Sequence, residues 1–217
     1  MSHEIRWVFD QANSGPAVRS RYSFAVILAL LSLGLAACGD GGEAEPTVPG
    51  QQSPSAEGTP LGEPTISGNL FEFQEKGYSV RFPEGWTPQP NFLPGPGLTI
   101  DAFFAPEEVQ GIQPNIAVSC ETLPEETTLR AYFDSKLDVV RQVVGVEPET
   151  GSRQAGGQEG LWSRFAREEA EPSLEKIEVV FITERCGWSI AMTVPLGGET
   201  DYQDVFDEFV DSFRLLP

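Results

Sequence analysis

Residues 69–217 are predicted to fold as an α+β domain, with helices packed on an antiparallel sheet. Three observations predict it. Short segments alternate apolar and polar residues and are separated by turn signals. One apolar stripe at helical spacing interrupts these segments, and a second closes the chain. Near Asn69 the composition also changes, as aromatic and β-branched residues replace a stretch rich in Gly, Pro and acid. A domain of this size suits a single core, and no internal repeat is visible.

The elements follow in order. Leu70-Phe71-Glu72-Phe73 and Tyr78-Ser79-Val80-Arg81-Phe82 read as strands joined by a turn at Lys76-Gly77, and Pro83-Glu84-Gly85-Trp86 ends the second. Leu98 to Phe104 and Asn115 to Leu123 read as two more. Thr128 is an N-cap candidate for a helix carrying Leu129, Phe133, Leu137, Val140 and Val144, with Gly145 as its stop. Residues 158–167 read as a strand with Leu161, Trp162 and Phe165. Two strong strands come next, one with Ile177, Val179 and Phe181 and one with Trp188, Ile190, Met192 and Val194. Glu184-Arg185-Cys186-Gly187 turns them into a hairpin. Thr200 with Gln203 forms a capping box ahead of a helix whose stripe is Tyr202, Val205, Phe206, Phe209 and Phe213.

The segment Tyr78-Ser79-Val80-Arg81-Phe82-Pro83-Glu84-Gly85-Trp86 resembles the start of PsbP-like domains, the superfamily that includes DcrB-like and LpqN-like bacterial lipoproteins. Trp188-Ser189-Ile190, Pro195 and the closing Phe209-Val210-Asp211-Ser212-Phe213-Arg214 add to the resemblance. It implies an α/β/α sandwich around a central antiparallel sheet. It also implies a non-enzymatic binding or assembly module rather than an enzyme.

Residues 1–37 resemble a bacterial lipoprotein signal peptide. Arg19 and Arg21 precede an apolar run, and Leu35-Ala36-Ala37-Cys38 matches a lipobox. The resemblance implies diacylglycerol transfer to the Cys38 sulfur, cleavage before Cys38, and a cell membrane anchor facing outside the cytoplasm. The uncharged run from Tyr22 to Ala37 falls short of the roughly 20 apolar residues that cross a bilayer. Residues 1–17 are an odd lead-in and are read as a mis-called start, with translation beginning at Val18. Residues 38–68 form the lipidated Cys and a tether; six Gly, five Pro and five acids between 39 and 66, with no aromatic residue, build no core.

Of the chain's 14 Lys+Arg, three (Arg6, Arg19, Arg21) precede Cys38, and of its 33 Asp+Glu, two (Glu4, Asp10) do, so the processed chain carries a formal −20. Nucleic acid is therefore not an expected partner, since binding it requires positive charge to release counterions. The single histidine, His3, also precedes Cys38. A processed chain without imidazole excludes Ser-His-Asp and Cys-His catalysis and His-ligated metal. No catalytic residue, metal or cofactor is expected. The expected contacts are the membrane, through lipid on Cys38, and a protein or envelope component; the alternative is carriage of a small apolar or lipidic ligand.

Cys120 and Cys186 remain once Cys38 carries lipid. An even pair in an oxidising compartment suggests a disulfide; the other reading is two separately buried thiols. Within the Pro-rich segment 83–97, Phe92 and Leu93 are candidate recognition anchors or else ordinary loop packing, while Trp86 is expected to plug the core. Asp201, Asp204, Asp207, Glu208 and Asp211 are expected on the solvated face of the last helix. Glu107-Glu108 and Glu125-Glu126 read as solvated loop charge.

Overall fold

The computed structural model describes residues 62–92, 98–168, 172–184, 186–197 and 199–217. The expected signal peptide, Cys38, most of the tether and Leu93 lie outside the described residues. No helix among those described is long and apolar enough to cross a membrane.

Among the described residues, two antiparallel sheets and two helices make up the domain. The smaller sheet begins with β1 (Thr65–Ser67), β2 (Leu70–Phe73) and β3 (Tyr78–Arg81). It is completed by β11 (Arg214–Leu215), giving the order β1-β2-β3-β11. The β2–β3 turn falls where Lys76-Gly77 predicts it, and Gly77 N–H donates to Phe73 O at 2.9 Å. Ordered pairing starts earlier than Asn69: Ile66 sits opposite Phe71, so the last residues assigned to the tether are part of the sheet. All three β1 residues are exposed, and the strand exists because β2 offers it a free edge.

The larger sheet holds β4 (Thr87–Gln89), β5 (Leu98–Phe104), β6 (Asn115–Glu121), β7 (Glu149–Ala155), β8 (Gln158–Arg167), β9 (Leu174–Ile182) and β10 (Gly187–Pro195). Their spatial order is β4-β5-β6-β10-β9-β8-β7. Both edges escaped the pattern reading, for different reasons. Pro88 cannot donate to a ladder and is tolerated in β4 because that strand is an edge. In β7, Glu-Thr-Gly-Ser-Arg-Gln-Ala lacks apolar alternation, and most of it faces solvent.

Alternation along β9 separates the two faces of this sheet. Val180 packs against α1 (Leu129–Val143) through Tyr132, Phe133 and Leu137. Val179 and Phe181 point the other way, into a core shared with Phe71, Phe73 and Tyr78 of the small sheet. Phe206, Phe209 and Val210 of α2 (Glu199–Ser212) fill the same core, with Phe213 just beyond the helix. Thr128 caps α1 as expected, its side chain accepting from Ala131 N–H at 3.2 Å. Gly145 follows with φ +78°, a left-handed conformation that closes the helix and suits glycine. The second cap differs from expectation, because α2 already includes Glu199 and Thr200 therefore lies within its first turn.

Candidate functional site

A cleft of about 590 Å³ opens where the small sheet, the β9–β10 hairpin and the C-terminus meet. Gly77 and its neighbours Glu75 and Lys76 bring the β2–β3 turn to one side. Thr183, Glu184 and Cys186 come from the hairpin, Gln158 from the start of β8, and Leu215 and Leu216 from the chain end. Cys120 and Trp188 complete the wall.

The wall is a disulfide. Cys120 and Cys186 are bonded, with Cα atoms 5.8 Å apart. Strand register explains why they meet: Trp188 pairs with Cys120 and Gly187 with Glu121, which brings the end of β6 beside the hairpin turn. Of the two readings open from sequence, the bonded pair is the one observed.

Behind the sulfurs, Trp188 is locked by aromatic contacts. It stacks on Phe181 at 6.1 Å and meets Tyr78 and Phe213 edge-on at 5.6 and 5.5 Å. Its indole N–H donates to Thr183 Oγ1 at 3.2 Å. A large aromatic held by packing on one side and a hydrogen bond on the other loses little freedom when a ligand binds.

Under the β2–β3 turn lies a buried ionic cluster. Lys76 Nζ is 2.5 Å from Asp101 Oδ1, with side chains only 5% and 1% exposed. Tyr78 Oη donates to Asp101 Oδ2 at 2.6 Å, and Asn91 N–H donates to Oδ1 at 2.8 Å. The ammonium also sits over the Phe73 ring at 4.4 Å. Burial pushes the Lys76 ammonium down from its ordinary value, against the pull of Asp101. Burial, reinforced by the Asp101 charge, pushes the Tyr78 hydroxyl well up, so that it stays a donor. These bonds tie the turn to β5 and thereby fix one lip of the cleft.

A second cluster lies on the opposite face of the large sheet, beneath α1. Glu178 Oε1 accepts from Ser189 Oγ at 2.5 Å and lies 3.2 Å from Lys136 Nζ. Lys176 Nζ is 3.8 Å from Oε2. Burial opposes ionisation of Glu178, but the two ammonium groups and the Ser189 hydroxyl together hold its carboxyl down at about 2. Burial lowers Lys176, only partly offset by Glu178. Tyr132, beside Lys136, is pushed up to about 12, mainly by burial.

The other sequence candidates are distributed elsewhere. Phe92 is half-buried, its ring 5.3 Å from Phe104 and its N–H bonded to Ile100 O, so it packs on β5 and is not among the residues lining the cleft. Trp86 plugs the core beside Tyr202, as expected. Asp204 and Glu208 are exposed, but the acidic face of α2 is not uniformly free: Asp207 and Asp211 both hold Arg153 of β7. The cleft residues Lys76, Gln158, Thr183, Glu184, Leu215 and Leu216 carried no sequence signal as a group. The one available clue was the cysteine pair, which marks where β6 and the hairpin meet.

No protein-family model matches the sequence, and no curated protein does. Among solved structures, cyanobacterial PsbP (CyanoP) from Synechocystis sp. PCC 6803 superposes with a TM-score of 0.52 at 15% identity, covering 74% of this chain and 97% of its own. A Bacteroides thetaiotaomicron protein gives 0.46 at 16% identity, covering 72% of this chain and 49% of its own. LpqN, involved in cell envelope biogenesis of Mycobacterium tuberculosis, gives 0.41 at 8% identity, covering 64% and 91%. With its antiparallel sheets, its two helices and this likeness, the domain is PsbP-like in fold.

Proposed function

We propose that this chain is a non-enzymatic binding module, anchored outside the cytoplasm through lipid on Cys38, whose PsbP-like domain meets a protein or envelope partner at the disulfide-walled cleft. The cleft carries the reading: it combines a rigid aromatic wall, apolar Leu215 and Leu216, and exposed polar groups at the rim. Two further observations support it. A disulfide fits an oxidising compartment. Gly62 N–H donates to Glu75 at 2.5 Å, so the start of the described chain meets the domain at a residue that lines the cleft. On this reading the layers form the α/β/α sandwich of PsbP-like domains, with α1 outside one face of the large sheet and α2 outside the other.

A second reading is favoured by size. At about 590 Å³ the cleft falls within the ~300–1,000 Å³ range of small-molecule sites, which suits carriage of an apolar ligand. Native mass spectrometry of the full chain, gently released from membranes, separates the two. A protein partner or bare protein is the expected result. A co-purifying small mass that is lost on Gln158→Trp, which crowds the cleft mouth, would establish the carrier instead.

A further inference from the structure

We propose that a separate groove, between α2 and the β7–β8 edge, binds one neutral sugar ring stacked on Trp162. The groove encloses about 250 Å³ and shares no residue with the disulfide-walled cleft. Trp162 stands opposite Gly151 in the β7–β8 register. A Cβ on Gly151 would lie 2.4 Å from the indole Nε1 and 2.6 Å from Cε2, so the ring rests on bare backbone that only glycine provides. The indole is half-buried, and its N–H has no acceptor among the described residues. An indole backed by a strand, with a free donor at its edge, is a platform for the C–H face of a pyranose ring.

The polar groups around it suit hydroxyls rather than an anion. Arg153 contacts Asp207 and lies 2.9 Å from Asp211, while Gln203 Nε2 donates to Asp207 at 3.2 Å. Arg164 lies 2.5 Å from Glu175 and 3.9 Å from Glu149. Two guanidinium groups thus face four carboxylates, which leaves no surplus positive charge to recognise a phosphate or a uronic acid. The lining itself carries the Arg153 and Arg164 guanidinium groups and the Gln203 amide, so fixed donors stand beside an amide that can also accept, while the carboxylates that neutralise the arginines lie outside the lining. Vicinal hydroxyls, each able both to donate and to accept, match that pattern. Ile177 and Val179 form the apolar floor. The groove lies below the ~300–1,000 Å³ range of drug-sized sites, so it encloses a single ring, and any further sugar units extend into solvent.

Saturation-transfer NMR on the full chain tests this, using the methyl glycosides of glucose, galactose and N-acetylglucosamine, with glucuronic acid as the charged comparator. The expected result is transfer to the ring protons of at least one neutral glycoside, with a Kd in the millimolar range, and weaker transfer to glucuronic acid. Trp162→Ala is expected to abolish it and Trp162→Phe to retain part of it. Gln203→Ala, which leaves the core untouched, is expected to weaken it several-fold. Three results would each overturn the proposal: no transfer to any of the three glycosides, preference for glucuronic acid, or undiminished binding in folded Trp162→Ala and Gln203→Ala proteins.

Discussion

Removing the Cys120–Cys186 bond, by reduction or by the Cys120→Ala/Cys186→Ala double substitution, is expected to lower the stability of the domain by about 4 kcal/mol. The bond closes a loop with a sequence separation of 66 residues. In the chain-entropy account, a loop of that length removes much of the freedom of the unfolded chain, and opening it returns that freedom. The native fold is expected to persist, because β6 and β10 remain paired along seven residue pairs without the sulfurs. Guanidinium unfolding with and without reductant is the check: the midpoint should fall markedly while the circular dichroism of the folded state stays the same. An unchanged midpoint would mean that the bond is not formed in the native protein. Because the same sulfurs wall the cleft, the proposed partner binding should also weaken in the reduced protein.

The second large effect is expected at Glu178. Its side chain is 6% exposed, that of Lys136 is 10% exposed, and Glu178 forms ion pairs with both ammonium groups beneath α1. Glu178→Gln leaves Lys136 and Lys176 buried without their ion-pair partner, with only the more distant Glu121 charge still acting on Lys136, and breaking a buried pair on one side costs about 3–5 kcal/mol. Replacing all three together by apolar residues of similar volume is expected to restore stability, since a matched apolar cluster avoids the desolvation cost. The pH dependence has a definite sign. The Glu178 carboxyl titrates at about 2 in the folded chain, below its ordinary 4.5. Its contribution is therefore fully present above the ordinary value and is lost as pH falls from about 4.5 toward 2. Denaturant unfolding at pH 7 and pH 3 should show a smaller loss on acidification in Glu178→Gln than in the wild type.

Particular residues show how much of this was legible beforehand. Both helices were legible, because Phe133 and Leu137, and later Phe206 and Phe209, repeat at the helical period. The β9–β10 hairpin was legible because its strands alternate strongly and a turn separates them. β7 was not, because a half-solvated edge strand needs no apolar alternation and is held by pairing with β8. β1 and β11 are too short to carry a pattern and form only against the free edges of β2 and β3. The Lys136–Glu178 pair carried no signal, since sequence cannot show that two charges far apart in the chain bury each other. The cysteine pair was legible through parity once Cys38 was set aside. The cleft itself was not: it is assembled from a turn, a hairpin and a chain end that are distant in sequence and are joined only by sheet register.

The central claim is that the disulfide-walled cleft is where this domain meets its partner. Site-specific photo-crosslinking in intact cells tests it most directly, with a benzoylphenylalanine placed at Gln158 or Glu184 on the rim and at Gln142 on α1 as the control, all three exposed positions. The account predicts one crosslinked species, shared by the two rim positions, absent from the control and diminished by Cys120→Ala/Cys186→Ala. A species captured equally well from Gln142, or from Gln142 alone, would contradict it.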